Sequence, residues 1–166
     1  MVTVYVDTSI IIARYKPNDP LHSIANRFFE KDYDFIISPI TIVELYSVLS
    51  RIKPFLKFKE ELKNANIDTI VAFIIYDSKL RIVTRSFMPS MQILGKKFRV
   101  PLEYRLAMKF AEKLQLRTLD LLHIAYAYML RDMLDYVVTG DDDVLKAREL
   151  IKQCTGLEVV SPSKFV

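Results

Sequence analysis

Three short segments, Val2 to Val6, Phe35 to Ser38 and Tyr136 to Thr139, are built largely of β-branched and aromatic residues, the composition of strands buried on both faces. Longer stretches between and after them repeat apolar residues every three or four positions: Leu21 to Lys31, Ile40 to Arg51, Lys59 to Tyr76, Glu103 to Leu114, Leu119 to Arg131 and Asp143 to Lys152. That spacing predicts helices. Leu80 to Thr84 and Leu157 to Val160 are weaker strand candidates. Strands separated by helices rejoin a sheet through right-handed crossovers, so the alternation predicts an α/β fold. The expected form is a three-layer α/β/α sandwich with a mainly parallel sheet of four to five strands. Prolines mark the breaks: Pro17 and Pro20 precede the second helix, Pro39 opens the third and Pro162 follows the last strand.

A chain of 166 residues, half of them hydrophobic, suits one compact domain spanning 1–166. No repeat, low-complexity tract or linker divides it. The single cysteine, Cys154, cannot close an internal disulfide, and no Cys/His cluster has zinc-site spacing. The N-terminus lacks the order of segments a signal peptide needs, and the longest apolar runs, such as Ile70 to Tyr76, fall short of the roughly 20 residues that span a bilayer. A cytoplasmic protein without membrane contact is expected. The formal charge of +4 permits a polyanionic partner without requiring one. Residues Arg85 to Pro101 are the least periodic; they carry Arg85, Lys96, Lys97 and Arg99 and read as a solvated loop.

The acids fall at telling places. In an open parallel sheet, ligands collect beyond the carboxyl ends of the strands, where strand order reverses. Asp7 ends the first strand and Asp141 follows another; if those strands are neighbours, the two carboxylates share one crevice. Glu44, one turn into the third helix, is the only charge in a long apolar run and is costly to bury unpaired. Asp120 opens another apolar helix, two residues after a plausible N-cap, Thr118. Each acid also has an ordinary explanation, since Asp7 can cap a helix and Asp120, Asp141, Asp142 and Asp143 can complement helix dipoles. Both histidines, His22 and His123, look peripheral, and a packing role fits His123 best.

Like charges about 4 Å apart repel by about 4 kcal/mol at an effective dielectric of 20, so four gathered carboxylates need a counter-charge. A hard cation with oxygen ligands, Mg²⁺ or Mn²⁺, is the natural occupant. An ion so placed activates water and stabilises the attacking and leaving oxygens of a phosphodiester displacement.

The run Val6-Asp7-Thr8-Ser9, the lone Glu44 in Thr-Ile-Val-Glu-Leu, the segment Leu119-Asp120-Leu121-Leu122-His123-Ile124-Ala125 and Val138-Thr139-Gly140-Asp141 resemble, in order and spacing, the four acidic motifs of PIN domains. The likeness is nearest to VapC-type toxins of toxin–antitoxin pairs and covers essentially the whole chain. It implies a metal-dependent endoribonuclease in which Asp7, Glu44, Asp120 and Asp141 bind the metal. Thr8 or Ser9 and Thr139 would orient those acids, and Asp143 matches an auxiliary acid. The resemblance further implies an RNA substrate, a homodimer and often an antitoxin partner. The stretch Leu62 to Arg99 departs from the shortest toxins in its length.

Other readings fare worse. A receiver domain needs paired acids at its first strand end, where Asp7 stands alone, and a haloacid-dehalogenase-like phosphatase needs an Asp where Ser9 stands. The chain has three glycines and no P-loop. Flap endonucleases need helical DNA-binding additions for which this length leaves little room. The alternatives kept are an RNA-processing PIN nuclease without an antitoxin and a PIN-like module that binds RNA or protein without cutting.

Overall fold

The computed structural model describes residues 1–58, 62 and 64–166. Its central sheet has five strands in the order β3-β2-β1-β6-β7, where β1 is Thr3–Val6, β2 Asp34–Ile37, β3 Leu80–Ile82, β6 Tyr136–Val138 and β7 Val159–Val160. Every neighbouring pair is parallel, with Val4 opposite Phe35 on one side of β1 and Tyr5 opposite Val137 on the other. The chain moves outward from β1 to β3, then returns past β1 to lay down β6 and β7. Strand order therefore reverses between β1 and β6, which puts a crevice beyond their carboxyl ends.

Alternation along the strands builds a core on each face. Val4, Val6, Phe35, Ile37 and Val138 face one way. There they meet α1 (Thr8–Tyr15), α2 (His22–Phe29), α3 (Pro39–Ile52) and α4 (Ile67–Asp77). Tyr5, Ile36, Val137 and Val159 face the other, against α5 (Leu102–Leu114), α6 (Thr118–Met129) and α8 (Arg148–Thr155). This is the expected three-layer sandwich. α6 is apolar on nearly every side because it is buried between the sheet and α5.

Three expectations need correction. The helix expected over Lys59 to Tyr76 starts at Ile67, because the Asn66 side chain accepts a hydrogen bond from Thr69 N at 2.8 Å and caps a new helix; residues 59–61 and 63 lie outside the described residues. The helix expected over Asp143 to Lys152 is two helices, α7 (Asp142–Lys146) and α8. Ala147, at φ −82° and ψ −1°, turns the axis between them so that both Val144 and Ile151 bury in one core.

The third correction concerns Arg85 to Pro101, which is not a plain loop. Its strands β4 (Ser90–Ile93) and β5 (Lys96–Arg99) pair antiparallel as a separate two-stranded ribbon. Leu94 and Gly95 make the turn, both at positive φ (48° and 77°), as a two-residue hairpin turn of matching twist requires. Among the described residues no helix is long and apolar enough to cross a membrane.

Candidate active site

The parallel ladder between β1 and β6 continues one residue past the strand, with Asp7 N donating to Val138 O at 3.0 Å. Asp7 is thereby fixed at the sheet edge, and it also caps α1, its Oδ1 accepting from Thr8 N at 2.9 Å. Its Oδ2 accepts from Ser9 Oγ at 2.6 Å and from Thr139 Oγ1 at 2.8 Å. Thr139 Oγ1 in turn accepts from Asp141 N, and Ser9 Oγ accepts from Gly140 N, both at 3.0 Å. The ends of β1 and β6 are thus tied by one hydrogen-bond network. Gly140 lies close under two core side chains: a Cβ would stand 2.5 Å from Leu21 Cδ1 and 3.1 Å from Ile10 Cδ1, whose ends would have to shift.

Asp141 likewise serves two purposes. Its Oδ1 caps α7, accepting from Asp143 N at 2.9 Å and Val144 N at 3.2 Å, while Oδ2 accepts from Arg117 Nη2 at 2.6 Å. Arg117, not Thr118, occupies the N-cap position of α6, and its Nε donates to Asp120 Oδ2 at 3.2 Å. Burial raises the pKa of Asp120, the charge of Asp141 raises it further, and Arg117 offsets only part of this, with Asp7 adding to the rise. Asp143, expected as an auxiliary acid, is 63% exposed and stands 4.0 Å from Arg117 Nη2, outside the cleft lining.

Glu44 projects from α3 onto His123 of α6, Oε2 to Nε2 at 2.9 Å, and His123 Nε2 is 3.7 Å from Asp7 Oδ1. The other ring nitrogen, Nδ1, is 2.8 Å from Tyr5 Oη, which is 2.8 Å from Ser38 Oγ, which accepts from Thr41 N. Tyr5, Ser38, Thr41 and His123 are all buried. Burial opposes ionisation of Glu44 most strongly, but hydrogen bonding to His123 and Thr8 and the charges of His123 and Arg117 together outweigh it, so its pKa lies below the usual glutamate value. For His123 burial disfavours the imidazolium, yet Tyr5, Glu44 and Asp7 outweigh it and hold the pKa well above the ordinary histidine value. The raised pKa favours an imidazolium that donates at both nitrogens, so that His123 orients Glu44. His123 is therefore not peripheral. His22 is, with Nδ1 2.9 Å from Ala13 O and no place in the cleft.

The four expected acids line one cleft of about 460 Å³, together with Thr8, Ser9 and Arg117. Among the described residues, ligand-type atoms of Asp7, Glu44 and His123 lie within 4.8 Å of one another, whereas Asp120 and Asp141 are drawn onto Arg117. The donor set fits a hard divalent cation: it is rich in carboxylate oxygens. The buried Thr8 side chain lies beside Glu44 and helps to lower its pKa. Ser9 and Thr139 hydrogen-bond Asp7 through their side chains, and Thr8 does so through its backbone N–H.

Sequence reasoning missed Arg117, His123 and Asp19, the last a cleft-lining residue of the α1–α2 connection. The first two were signalled by spacing, since Arg117, Asp120 and His123 fall three residues apart on one face of a helix. Asp19 sits in an irregular loop that carried no such signal.

The PIN domain family model matches residues 4–150. No curated protein matches the chain. Among solved structures, VapBC-1 from nontypeable Haemophilus influenzae superposes with a TM-score of 0.58 at 15% identity, covering 98% of this chain and 99% of that one. VapC20 of Mycobacterium tuberculosis, described as a Sarcin-Ricin loop cleaving toxin, gives 0.55 at 17% identity, with 87% and 94% covered. VapBC2 from Rickettsia felis, bound to a DNA fragment from its promoter, gives 0.54 at 16% identity, with 96% and 98% covered. At these identities the structures establish a shared fold, and with the family match over most of its length the chain belongs to the PIN-domain family.

Proposed function

We propose that the chain is a metal-dependent endoribonuclease that hydrolyses RNA phosphodiester bonds in this cleft. The observation that carries the reading is that carboxylates from four separate segments, Asp7, Glu44, Asp120 and Asp141, line one opening where β1 and β6 end. Those four residues would hold Mg²⁺ or Mn²⁺, which when bound supplies Lewis-acid polarisation of the phosphodiester and activation of water. Ser9 and Thr139 keep Asp7 aimed into the cleft while their other hydrogen bonds hold the β6–α7 turn against it. His123 keeps Glu44 ionised and oriented, because it is itself braced by Tyr5. Arg117 balances Asp120 and Asp141 from the rim, where its exposed guanidinium is open to a substrate phosphate.

The reading extends to biology by similarity of fold. Related architecture in VapBC structures and in a Sarcin-Ricin loop cleaving toxin supports a toxin that works with a cognate antitoxin; action in the cytoplasm and as a homodimer belongs to the same proposal. The test is cleavage of a structured RNA by purified protein. Cleavage is expected with Mg²⁺ or Mn²⁺ and not in chelator, and Asp7→Asn or Asp120→Asn is expected to abolish it without unfolding the protein. Cleavage undiminished in chelator, or in either variant, contradicts the proposal.

A further inference from the structure

Between Asp77 and Glu103 the chain has six basic residues, Lys79, Arg81, Arg85, Lys96, Lys97 and Arg99, and no acid. The whole chain carries only +4, so everything outside that stretch is net negative. The positive charge is therefore concentrated, and the structure gives it a shape. Arg81 is committed to Asp34, and Arg85 donates to Met129 O at 2.6 Å. Lys96, Lys97 and Arg99 instead lie on the β4–β5 ribbon, where every residue of β5 is exposed and none of these three pairs with a carboxylate among the described residues.

Pairing across the ribbon sorts the side chains. Directly opposed residues of an antiparallel pair share a face. Ser90 opposes Arg99 and Gln92 opposes Lys97, so one face is wholly polar and cationic; Met91 opposes Phe98 and Ile93 opposes Lys96 on the other. Arg105 lies at the ribbon base, its guanidinium donating to Ser90 O at 3.4 Å. Phe98 and, at the ribbon base, Phe87 are exposed. Cations without a carboxylate partner on one face, with exposed aromatic rings on the other face and at the base, give the ribbon the composition of a single-strand binder, which takes phosphates electrostatically and bases by stacking.

The ribbon is also anchored to the helix that carries part of the cleft. Arg85 N donates to Tyr126 Oη at 2.8 Å and that hydroxyl donates to Val83 O at 3.0 Å, while Leu102 N closes the base onto Phe87 O at 2.8 Å. Tyr126 and Asp120 belong to the same helix, six residues apart, a separation of about 9 Å along its axis.

We infer that the β4–β5 ribbon is an RNA-docking arm that holds a single-stranded stretch of the same molecule that enters the cleft, with Lys97 and Arg99 of the cationic face, Lys96 beside the turn and Arg105 at the base on its phosphates. The inference rests on the ribonuclease reading for the choice of RNA; its charge argument does not. An acidic protein segment is the competing occupant, and the test separates the two.

The experiment is equilibrium binding of a fluorescein-labelled oligouridylate in chelator, by anisotropy, to the full chain and to a Lys96→Ser/Lys97→Ser/Arg99→Ser variant. Polyglutamate serves as a second probe. Loss of about three phosphate contacts is expected to weaken oligouridylate binding at least tenfold and to make the slope of log affinity against log salt shallower by about 2. Polyglutamate is expected to bind far more weakly than RNA. Unchanged RNA affinity and slope in the variant overturns the arm, as does polyglutamate binding as tight as RNA. Circular dichroism of the variant excludes misfolding as the cause of a loss, and an Arg105→Gln variant in place of the triple one repeats the test at the ribbon base. If wild-type protein binds oligouridylate through the ribbon but never cuts RNA with Mg²⁺ present, the nuclease reading fails and the docking arm stands.

Discussion

The two halves of the acid cleft are neutralised in opposite ways. Asp7 and Glu44 face His123, a cation whose side chain is 6% exposed and which is braced through Tyr5 to Ser38 and Thr41 in the middle of the sheet. Asp120 and Asp141 face Arg117, whose side chain is 68% exposed. A buried, hydrogen-bonded counter-charge is part of the fold, whereas an exposed one contributes little stability and exchanges readily with another cation. The comparison teaches that one half is preorganised and the other held in a form that an ion or a phosphate can displace.

Substitutions at the preorganised half should have the larger effects. Asp7→Asn is expected to bring RNA cleavage to background in an endpoint assay, because Asp7 is the acid that the β1–β6 network fixes most tightly. Removing the hydroxyls that aim it, in Ser9→Ala or Thr139→Val, should reduce metal affinity or cleavage by about 10- to 100-fold, read from a titration of activity against Mn²⁺. Equal activity in these variants would mean that Asp7 needs no orientation and the contrast between the halves is empty.

The contrast in burial can be broken by stability measurements. His123→Leu leaves half-buried Glu44 without its partner and the Tyr5 hydroxyl with Ser38 alone, and should cost about 2 kcal/mol, lowering Tm by about 4–8 °C in a thermal melt of a domain this size. Arg117→Gln should leave Tm unchanged and, by freeing Asp120 and Asp141, tighten Mn²⁺ binding. Comparable melting shifts in the two variants would contradict the distinction.

The acids themselves differ in sign. Glu44 has a lowered pKa in the fold, so its stabilisation is present above the ordinary glutamate value of 4.5 and is lost as pH falls through the folded value. Asp120 has a raised pKa, so the fold is favoured when it is protonated, and that advantage fades as pH rises from 3.8 through the folded value. In chelator at neutral pH, Asp120→Asn should therefore melt slightly higher than wild type and Glu44→Gln lower. The reverse order would place the electrostatic strain in the wrong half.

Much of this was legible in the residues. The strands of the sheet and the convergence of Asp7 with Asp141 follow from apolar periodicity and the rule for parallel sheets, because Asp7 directly follows β1 and Asp141 lies in the short turn after the neighbouring β6. His123 was hidden because a histidine on an apolar helix looks the same whether it packs or braces a carboxylate; only its three-residue step from Asp120 distinguished it, and Arg117 lay on the same step. The ribbon was hidden for another reason: its strands are exposed and only four residues long, so the alternation of Ser90-Met91-Gln92-Ile93 is too short to mark them, and its turn puts Leu94 rather than Asn or Asp at a positive φ ahead of Gly95. Periodicity reports burial, and elements that bury little leave little trace.

The account stands most directly on whether both halves serve one ion. A calorimetric titration of Mn²⁺ into wild-type protein, Asp7→Asn and Asp120→Asn is the measurement that decides it. Saturable binding in wild type that is lost in each variant is the predicted result, because the two acids belong to opposite halves. Binding of wild-type strength in either variant would contradict the shared site.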